Sequence, residues 1–369
     1  NEGADIMLEV NDIREKTLKS KKKEIDRLLS RKYPVFLMGI NETTDQVIAL
    51  LNKYEITIEG ILDDFSKEKK YKGIEIFSSD EIMMQKTTAI ILLAVNVRPK
   101  TAEYNLRQKG FRYLLHSFEL FLYDNIENIV LPFWQNGYND FKLNKEKYFW
   151  LYSNLSDDMS KKVLVDTLNF RINANLSVMK DYDININNQY FEEFLNFSKR
   201  ESFVDCGGYD GETTKRFIEL NPLYEKIYYF EPIKSFFEIS KQKLNGFKNI
   251  VFFQKAIYKE NEILSFNING VNSSFDLKGV NEISAVSLDS VLHDPVTFIK
   301  MDIEGAEYDA LLGAQRIIKK HKPKMAICIY HNQEHFWKVP ELVLRLNPEY
   351  KIYIRHYTEG LRETVMYFV

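Results

Sequence analysis

Apolar and polar positions divide the chain into stretches of different period. Residues 1–32 are densely charged, and Ile6, Leu8, Val10, Ile13, Leu18, Ile25 and Leu28 are the candidate apolar positions of one amphipathic helix, an arm for packing or self-association. From 33 to 116, short apolar runs alternate with helix-compatible segments. Strands are predicted over 35–39, 58–62 and 90–95, with a helix over 45–54 capped by Thr44 and another opened by Pro99. This is the pattern of a small Rossmann-like α/β domain. Residues 117–200 lose the alternation and are rich in aromatics (Phe118, Phe121, Tyr123, Phe133, Trp134, Tyr138, Phe149, Trp150, Tyr152), which suit either a core or a ligand cage. Helices are predicted there over 144–155 and 157–173, the second capped by Ser156, so the stretch reads as a helical connector.

From 201 to 369 the alternation returns. Strands are predicted over 203–206, 227–230, 250–253, 298–301 and 325–330, with helices after the first, second and fourth. The runs 263–268 and 285–288 suit an inserted hairpin. Residues 350–356 and 364–369 suit an antiparallel pair closing the chain. The expected organisation is therefore an arm (1–32), a Rossmann-like domain (33–116), a connector (117–200) and a larger α/β domain (201–369).

Composition changes this picture little. A chain of 369 residues is long enough for more than one core, and a net charge of −3 offers no global basic field to nucleic acid. The lysine clusters (Lys19, Lys21, Lys22, Lys23; Lys67, Lys69, Lys70) lie beside acids and read as solvated faces. Cys206 and Cys328 both fall inside apolar runs, as buried thiols rather than a disulfide or a metal set. With no run of 18 apolar residues and no visible signal peptide, the expected compartment is the cytoplasm. Homo-oligomerisation through the arm stays open.

The chemistry is concentrated after residue 203. Phe203-Val-Asp-Cys-Gly-Gly-Tyr-Asp-Gly-Glu-Thr-Thr214 is a short buried strand turning into a helix near Glu212, with glycines where backbone passes close to a ligand. Glu231, 26 residues after Asp205, ends the next apolar run, where a nucleotide fold places the acid that binds ribose hydroxyls. Asp205-x-Gly207-x-x-x-Gly211 differs from the Gly-x-Gly-x-x-Gly of dinucleotide sites. Asp205 and Asp210 suit the ammonium of S-adenosylmethionine better than a pyrophosphate. The expected cofactor set is Asp205, Gly207, Gly208, Asp210, Gly211, Thr213 and Glu231, with Ala256 beside the adenine. In the front domain Gly39 would begin a phosphate turn and Asp63 or Asp64 would be the ribose acid. That turn has no second glycine and carries Glu42, so a degenerate, structural or protein-contact domain competes with a sugar-nucleotide binder.

Four segments carry a resemblance: Phe203 to Thr213, Phe230-Glu-Pro232, Phe298-Ile-Lys-Met-Asp-Ile-Glu-Gly-Ala-Glu307 and Tyr330-His331. Over about residues 186–369 they resemble the FkbM family of S-adenosylmethionine-dependent methyltransferases, and Lys-x-Asp-x-Glu-Gly-Ala-Glu is the most specific piece. The resemblance implies a class I methyltransferase domain, a mostly parallel sheet finished by an antiparallel hairpin. It also implies O-methylation of a hydroxyl, often on a sugar in polysaccharide or natural-product assembly.

Methyl transfer to a hydroxyl needs two positioned reactants and a group that takes the acceptor's proton. Asp302 and Glu304 follow the fourth strand, His331 follows the fifth, and Lys300 lies within the fourth. His331 or Glu304 is the expected base, with Asp302 holding Lys300 or the acceptor. An unperturbed histidine would titrate near pH ~6.5. Lys300 could instead be a snorkelling edge residue. Glu307 reads as a first-turn helix acid or a catalytic group, and His356 as a structural hydrogen-bonding group or an acceptor contact. His116, His293 and His321 read as surface or turn residues. No metal is expected, and the His-x-x-Glu-His spelling at 331–335 lacks the helical setting of a zinc hydrolase. The competing readings are an NAD-dependent or nucleotide-sugar enzyme resting on the front domain, and a non-enzymatic scaffold with a vestigial pocket.

Overall fold

The computed structural model describes residues 10–41, 43–124, 137–267, 274–275 and 281–369, without the side chains of 10–14, 266–267, 274–275 and 281. The expectations for Ile6, Leu8, Glu42, Phe133, Trp134 and the end of the 263–268 run lie outside the described residues, as do the side chains of Val10 and Ile13. The chain forms two compact units. The front unit comprises Asn1–Leu143, Leu164–Ile184 and Thr358–Arg362; the back unit comprises Asn144–Val163, Asn185–Tyr357 and Glu363–Val369. The stretch 117–200 is thus divided between the two.

The front unit opens with α1 (Val10–Leu29), followed by β1 (Val35–Met38), α2 (Thr44–Lys53), β2 (Gly60–Leu62), β3 (Lys70–Tyr71), β4 (Ile74–Phe77), β5 (Ile90–Leu93), α3 (Pro99–Gln108), β6 (Tyr113–His116) and α4 (Ser117–Tyr123). Among the described residues its sheet runs β3-β4-β2-β1-β5-β6, parallel except where β3 meets β4. The apolar runs are continuous because both faces are covered. Val35, Leu37, Ile90 and Leu92 enter one core with Ile25, Leu28 and Val47, while Phe36, Ile91 and Leu93 enter another with Leu106 and Phe111. β3, β4 and β6 escape the pattern because they are short or partly polar. Pro99 opens α3 as expected. Thr44 does not cap α2; it is the first helical residue, and its hydroxyl bonds the Gly39 carbonyl instead.

Next come α5 (Gly137–Leu143), α6 (Lys145–Asn154) and α7 (Asp158–Asn173). The expected Ser156 cap is replaced by Asp157, whose carboxylate accepts the Ser160 N–H at 2.7 Å.

The back unit contains β7 (Ser202–Cys206), α8 (Glu212–Leu220), β8 (Lys226–Phe230), α9 (Lys234–Lys243), β9 (Ile250–Phe253), β10 (Ala256–Ile257), β11 (Glu262–Asn267), β12 (Ser274–Phe275), β13 (Asn281–Val286) and α10 (Leu288–Val291). It continues with β14 (Phe298–Met301), α11 (Glu307–Leu312), α12 (Gln315–His321), β15 (Lys324–Cys328), α13 (His335–Leu346), β16 (Ile352–His356) and β17 (Thr364–Phe368). The main sheet, among the described residues, is ordered β16-β17-β15-β14-β7-β8-β9. Only β17 runs antiparallel to its neighbours. This is the mostly parallel sheet with a closing hairpin of a class I methyltransferase. The inserted pair is β11 against β13. The chain leaves β7 toward β8 and β9, then returns to the other side of β7 as β14. That reversal opens a crevice at the carboxyl ends of β7 and β14.

Candidate active site

The β7 turn is shaped by what its glycines avoid. A Cβ on Gly207, at φ +78°, would lie 1.9 Å from the Asp302 carbonyl oxygen, and one on Gly208 would lie 2.0 Å from the Tyr229 ring. Both residues donate their N–H to the Phe230 carbonyl at 3.0 Å, which folds the turn over the end of β8. Gly211 then precedes α8 at φ +83°, in the left-handed region.

Asp205 and Lys300 face each other across the β7–β14 register and are both buried. Lys300 Nζ lies 3.0 Å from Asp205 Oδ1 and donates to the Gly207 carbonyl at 2.6 Å, while Thr214 donates to Asp205 Oδ2 at 2.6 Å. Burial works against the ammonium, yet the charges of Asp205 and Asp302 raise its pKa above the ordinary lysine value, so it stays charged. The partner expected for this lysine was Asp302; the residue it grips is Asp205. Both oxygens of Asp205 are thereby committed inside the protein, and the pair serves as a strut under the glycine turn. Asp210 is committed as well, accepting the Glu212 N–H and pairing with Lys243 at 2.6 Å. Thr213 is half-buried in the first turn of α8, one position before the Thr214 that reaches Asp205.

Glu231 stands at the tip of β8. Its oxygens accept the N–H groups of Tyr209 (3.0 Å) and Ile233 (2.8 Å). Burial pushes its pKa up to about 7, against the pull of those donors and of Lys300. A carboxylate in this state is short of solvation and has lone pairs left for further donors. Beside it, Ile233, Ala256, Ile283 and Ala285 form an apolar cluster with Phe236 packed against it.

Across the crevice the second group of residues gathers around Glu307, a buried acid on the first turn of α11. Its Oε1 accepts the N–H groups of Ile303 (3.0 Å) and Gly305 (3.3 Å) and lies 2.8 Å from His331 Nδ1. The other ring nitrogen, Nε2, lies 3.6 Å from both Asp302 and Glu304. Burial by itself would lower the His331 pKa, but Glu307, Glu304 and Asp302 together raise it to about 9. The expectation of an unperturbed histidine titrating near pH ~6.5 is corrected by these three carboxylates. Glu307 is conversely held below the usual carboxylate range by His331 and His335, in spite of its burial. Glu304, at φ +56°, and Gly305, at φ +100°, form the turn that presents this edge. Asp302 accepts the hydroxyls of Tyr190 (2.9 Å) and Tyr330 (3.3 Å).

The sequence did not single out Tyr190, gave Tyr330 no role in the site, and read Glu307 as a helix acid ahead of a catalytic group. Tyr330 had a signal, its place one residue before His331. Tyr190 had none, since it arrives from a loop 112 positions from Asp302. Asp302, Glu307 and His331 bring ligand atoms within 4.8 Å of one another, a set that could hold a metal ion. His356 is fixed in a hydrogen bond with Thr364 at 2.9 Å. Both cysteines are buried free thiols.

Comparison with known families matches residues 205–358 to the methyltransferase FkbM domain. No curated protein matches the chain in sequence. Among solved structures, the chain is similar to the methyltransferase FkbM from Methylobacillus flagellatus KT, with TM-score 0.76 and 22% identity over 98% of this chain and 100% of that one. An rRNA methylase from Streptococcus thermophilus aligns at TM-score 0.33 and 16% identity, over 48% of this chain and 90% of that one. Fibrillarin from Aeropyrum pernix, in complex with natively bound S-adenosyl-L-methionine, aligns at TM-score 0.32 and 12% identity, over 47% and 69%. Over residues 205–358, then, the chain matches the methyltransferase FkbM domain, and its fold resembles that of an FkbM methyltransferase across nearly its whole length.

Proposed function

We propose that this protein is an S-adenosylmethionine-dependent O-methyltransferase whose acceptor is a hydroxyl of a sugar or glycan. The observation that carries the reading is the pairing across one crevice of Glu231, raised in pKa and facing the glycine turn, with the His331 cluster at the ends of β14 and β15. The residues suit this cofactor. Glu231 has acceptor capacity left for ribose hydroxyls, and the cluster around Ala256 offers an apolar bed for an adenine. When bound, S-adenosylmethionine supplies a methyl group made electrophilic by its sulfonium.

The chain's own residues position the acceptor and take its proton. Glu307 holds the Nδ1 side of His331 and turns Nε2 toward Asp302 and Glu304, at the open edge of the crevice. Raised to about 9, His331 is an imidazolium at neutral pH and must first release a proton to act as the base. Asp302, fixed by two tyrosine hydroxyls, then orients the acceptor, and Glu304 is the alternative proton acceptor. A bound divalent cation is the second reading, favoured by the proximity of Asp302, Glu307 and His331. The buried Lys300 charge beside Asp302, and the two N–H groups already on Glu307, weigh against it.

Titrating the full chain with S-adenosylmethionine and with NAD by calorimetry tests the cofactor. Binding of NAD without S-adenosylmethionine would reject the reading. Transfer of isotope-labelled methyl groups to a panel of mono- and oligosaccharides, read by mass spectrometry, tests the acceptor.

A further inference from the structure

The front unit contains a cavity of about 620 Å³ that plays no part in the catalytic reading. That volume falls within the range of small-molecule sites. It lies between α1, the start of α3, the start of α4 and the short 3-10 turn Leu176–Asp181. Its floor is electrically settled. Glu119 pairs with Lys21 at 3.0 Å, and Glu103 contacts the buried His116 at 2.9 Å. Lys21 is thus more than part of a solvated face, and His116 is not the surface histidine the sequence suggested.

The walls carry an excess of positive charge. Lys100 donates to the carbonyls of Lys180 and Tyr182, which fixes its ammonium in place, and its acidic partner Asp183 lies 3.5 Å away and is largely exposed. Among the described residues, the ammonium groups of Lys16 and Lys180 make no hydrogen bond or ion pair. Counting the four lysines that line the cavity against Glu103, Glu119 and the Asp183 beside Lys100 leaves one positive charge, in a chain whose net charge is negative. The remaining polar lining is hydroxyl and amide, from Thr17, Ser20, Ser177 and Asn175. Tyr104 lines the cavity too and is mostly exposed, a flat ring on which a sugar face can rest.

We infer that this cavity binds a saccharide bearing a phosphate or a carboxylate. Ammonium groups select the anion, while the hydroxyls, the Asn175 amide and the two fixed carboxylates match a ring of hydroxyls that both donate and accept. A free nucleotide fits less well, because the lining offers a single aromatic ring, Tyr104, against which a base could stack. The site is separate from the methyl-transfer reading and does not depend on it.

The test is calorimetric titration of the full chain with glucose 6-phosphate, glucuronate, glucose and inorganic phosphate. Saturable binding of either anionic sugar, at least 10-fold tighter than glucose or phosphate alone, is expected, and the two arms distinguish the phosphate from the carboxylate source. The double substitution Lys16→Glu and Lys180→Glu should weaken that binding at least 10-fold, and Tyr104→Ala by a smaller factor. S-adenosylmethionine affinity, measured on the same samples, should not change. Anionic sugars that bind no better than glucose or phosphate, or that are indifferent to the charge reversal, overturn the inference. Loss of S-adenosylmethionine binding in the unmodified chain, with sugar binding intact, would instead count against the methyltransferase reading alone.

Discussion

The molecule contains two parallel sheets with a switch point, and the two crevices have been treated differently. In the back unit the glycine turn passes over β8 and leaves Glu231 at the edge with donors still to gain. In the front unit the equivalent turn is tied shut. Gly39 sits at φ +104° with the Ala94 carbonyl 2.7 Å from where a Cβ would be, and the Asn41 side chain bonds that same carbonyl and the Thr43 N–H and hydroxyl. The positive end of α3, where an anion would dock, already holds one. Glu359 accepts the Thr101 N–H at 2.8 Å and the Thr101 hydroxyl as well. The front acids are also committed: Asp63 to the Phe65 and Ser66 N–H groups, Asp64 to Ser79 and Lys109. Burial opposes ionisation of Asp64, but Ser79 and Lys109 still hold its pKa below the ordinary value, whereas that of Glu231 is raised. A shared topology supplies a crevice; whether it takes a ligand depends on which side chains already fill it.

The most severe way to break the contrast is to remove the strut beneath the open turn. Lys300→Met leaves Asp205 buried without its cation and should cost about 3–5 kcal/mol of stability, read by denaturant unfolding. A loss below about 1 kcal/mol would mean the pair does not hold the turn.

His331→Asn should lower turnover by about 10²–10⁴-fold while S-adenosylmethionine affinity is preserved. With His331 as the base, kcat/KM should climb with pH until about 9. A rate that is flat from pH 6 to 8 would transfer the role to Glu304. The same shift has a stability sign. The folded-state pKa lies above the unfolded value, so the imidazolium's contribution is complete below about pH 6.5 and is lost as pH rises through about 9. Wild-type Tm should therefore fall more steeply than that of His331→Asn across this window.

Glu231→Ala should weaken S-adenosylmethionine binding by about 1.5–3 kcal/mol. Hydroxyl donors favour the ionised acid, so affinity should also rise with pH through about 7, and Glu231→Gln should flatten that rise. An unchanged affinity in Glu231→Ala would remove this acid from the cofactor site.

Glu359→Gln sharpens the comparison from the closed side. It should cost only about 1–2 kcal/mol of stability, because a neutral amide still offers one oxygen to Thr101, and S-adenosylmethionine affinity should stay the same. We propose that the closed front crevice takes no nucleotide; saturable binding of UDP-glucose that survives the Lys16→Glu and Lys180→Glu double substitution would contradict this. Least of all should change with chelation. Activity abolished by EDTA and restored by Mg²⁺ or Mn²⁺ would move the chemistry to a cation held by Asp302, Glu307 and His331.

The sequence by itself determined the two α/β layers, since short continuous apolar runs such as Ile90–Leu93 and Met325–Cys328 read as strands covered on both faces. It also placed the glycine turn, Glu231, Asp302, Glu304 and His331, because turn chemistry and a charge at the end of an apolar run are local signals. Partnership was not local. Lys300 finds Asp205 through strand register, Glu307 finds His331 from the start of a different helix, and Tyr190 reaches Asp302 from a loop before the domain's first strand. Nothing in a linear pattern encodes these distances, yet they decide that a histidine of ordinary pKa becomes an imidazolium held among three carboxylates. The Thr358–Arg362 segment belongs to the front unit although its neighbours in sequence do not, and only the folded chain delivers Glu359 to the end of α3. Burial and register are properties of the assembled fold, and they shift the proton equilibria of Glu231, Lys300 and His331.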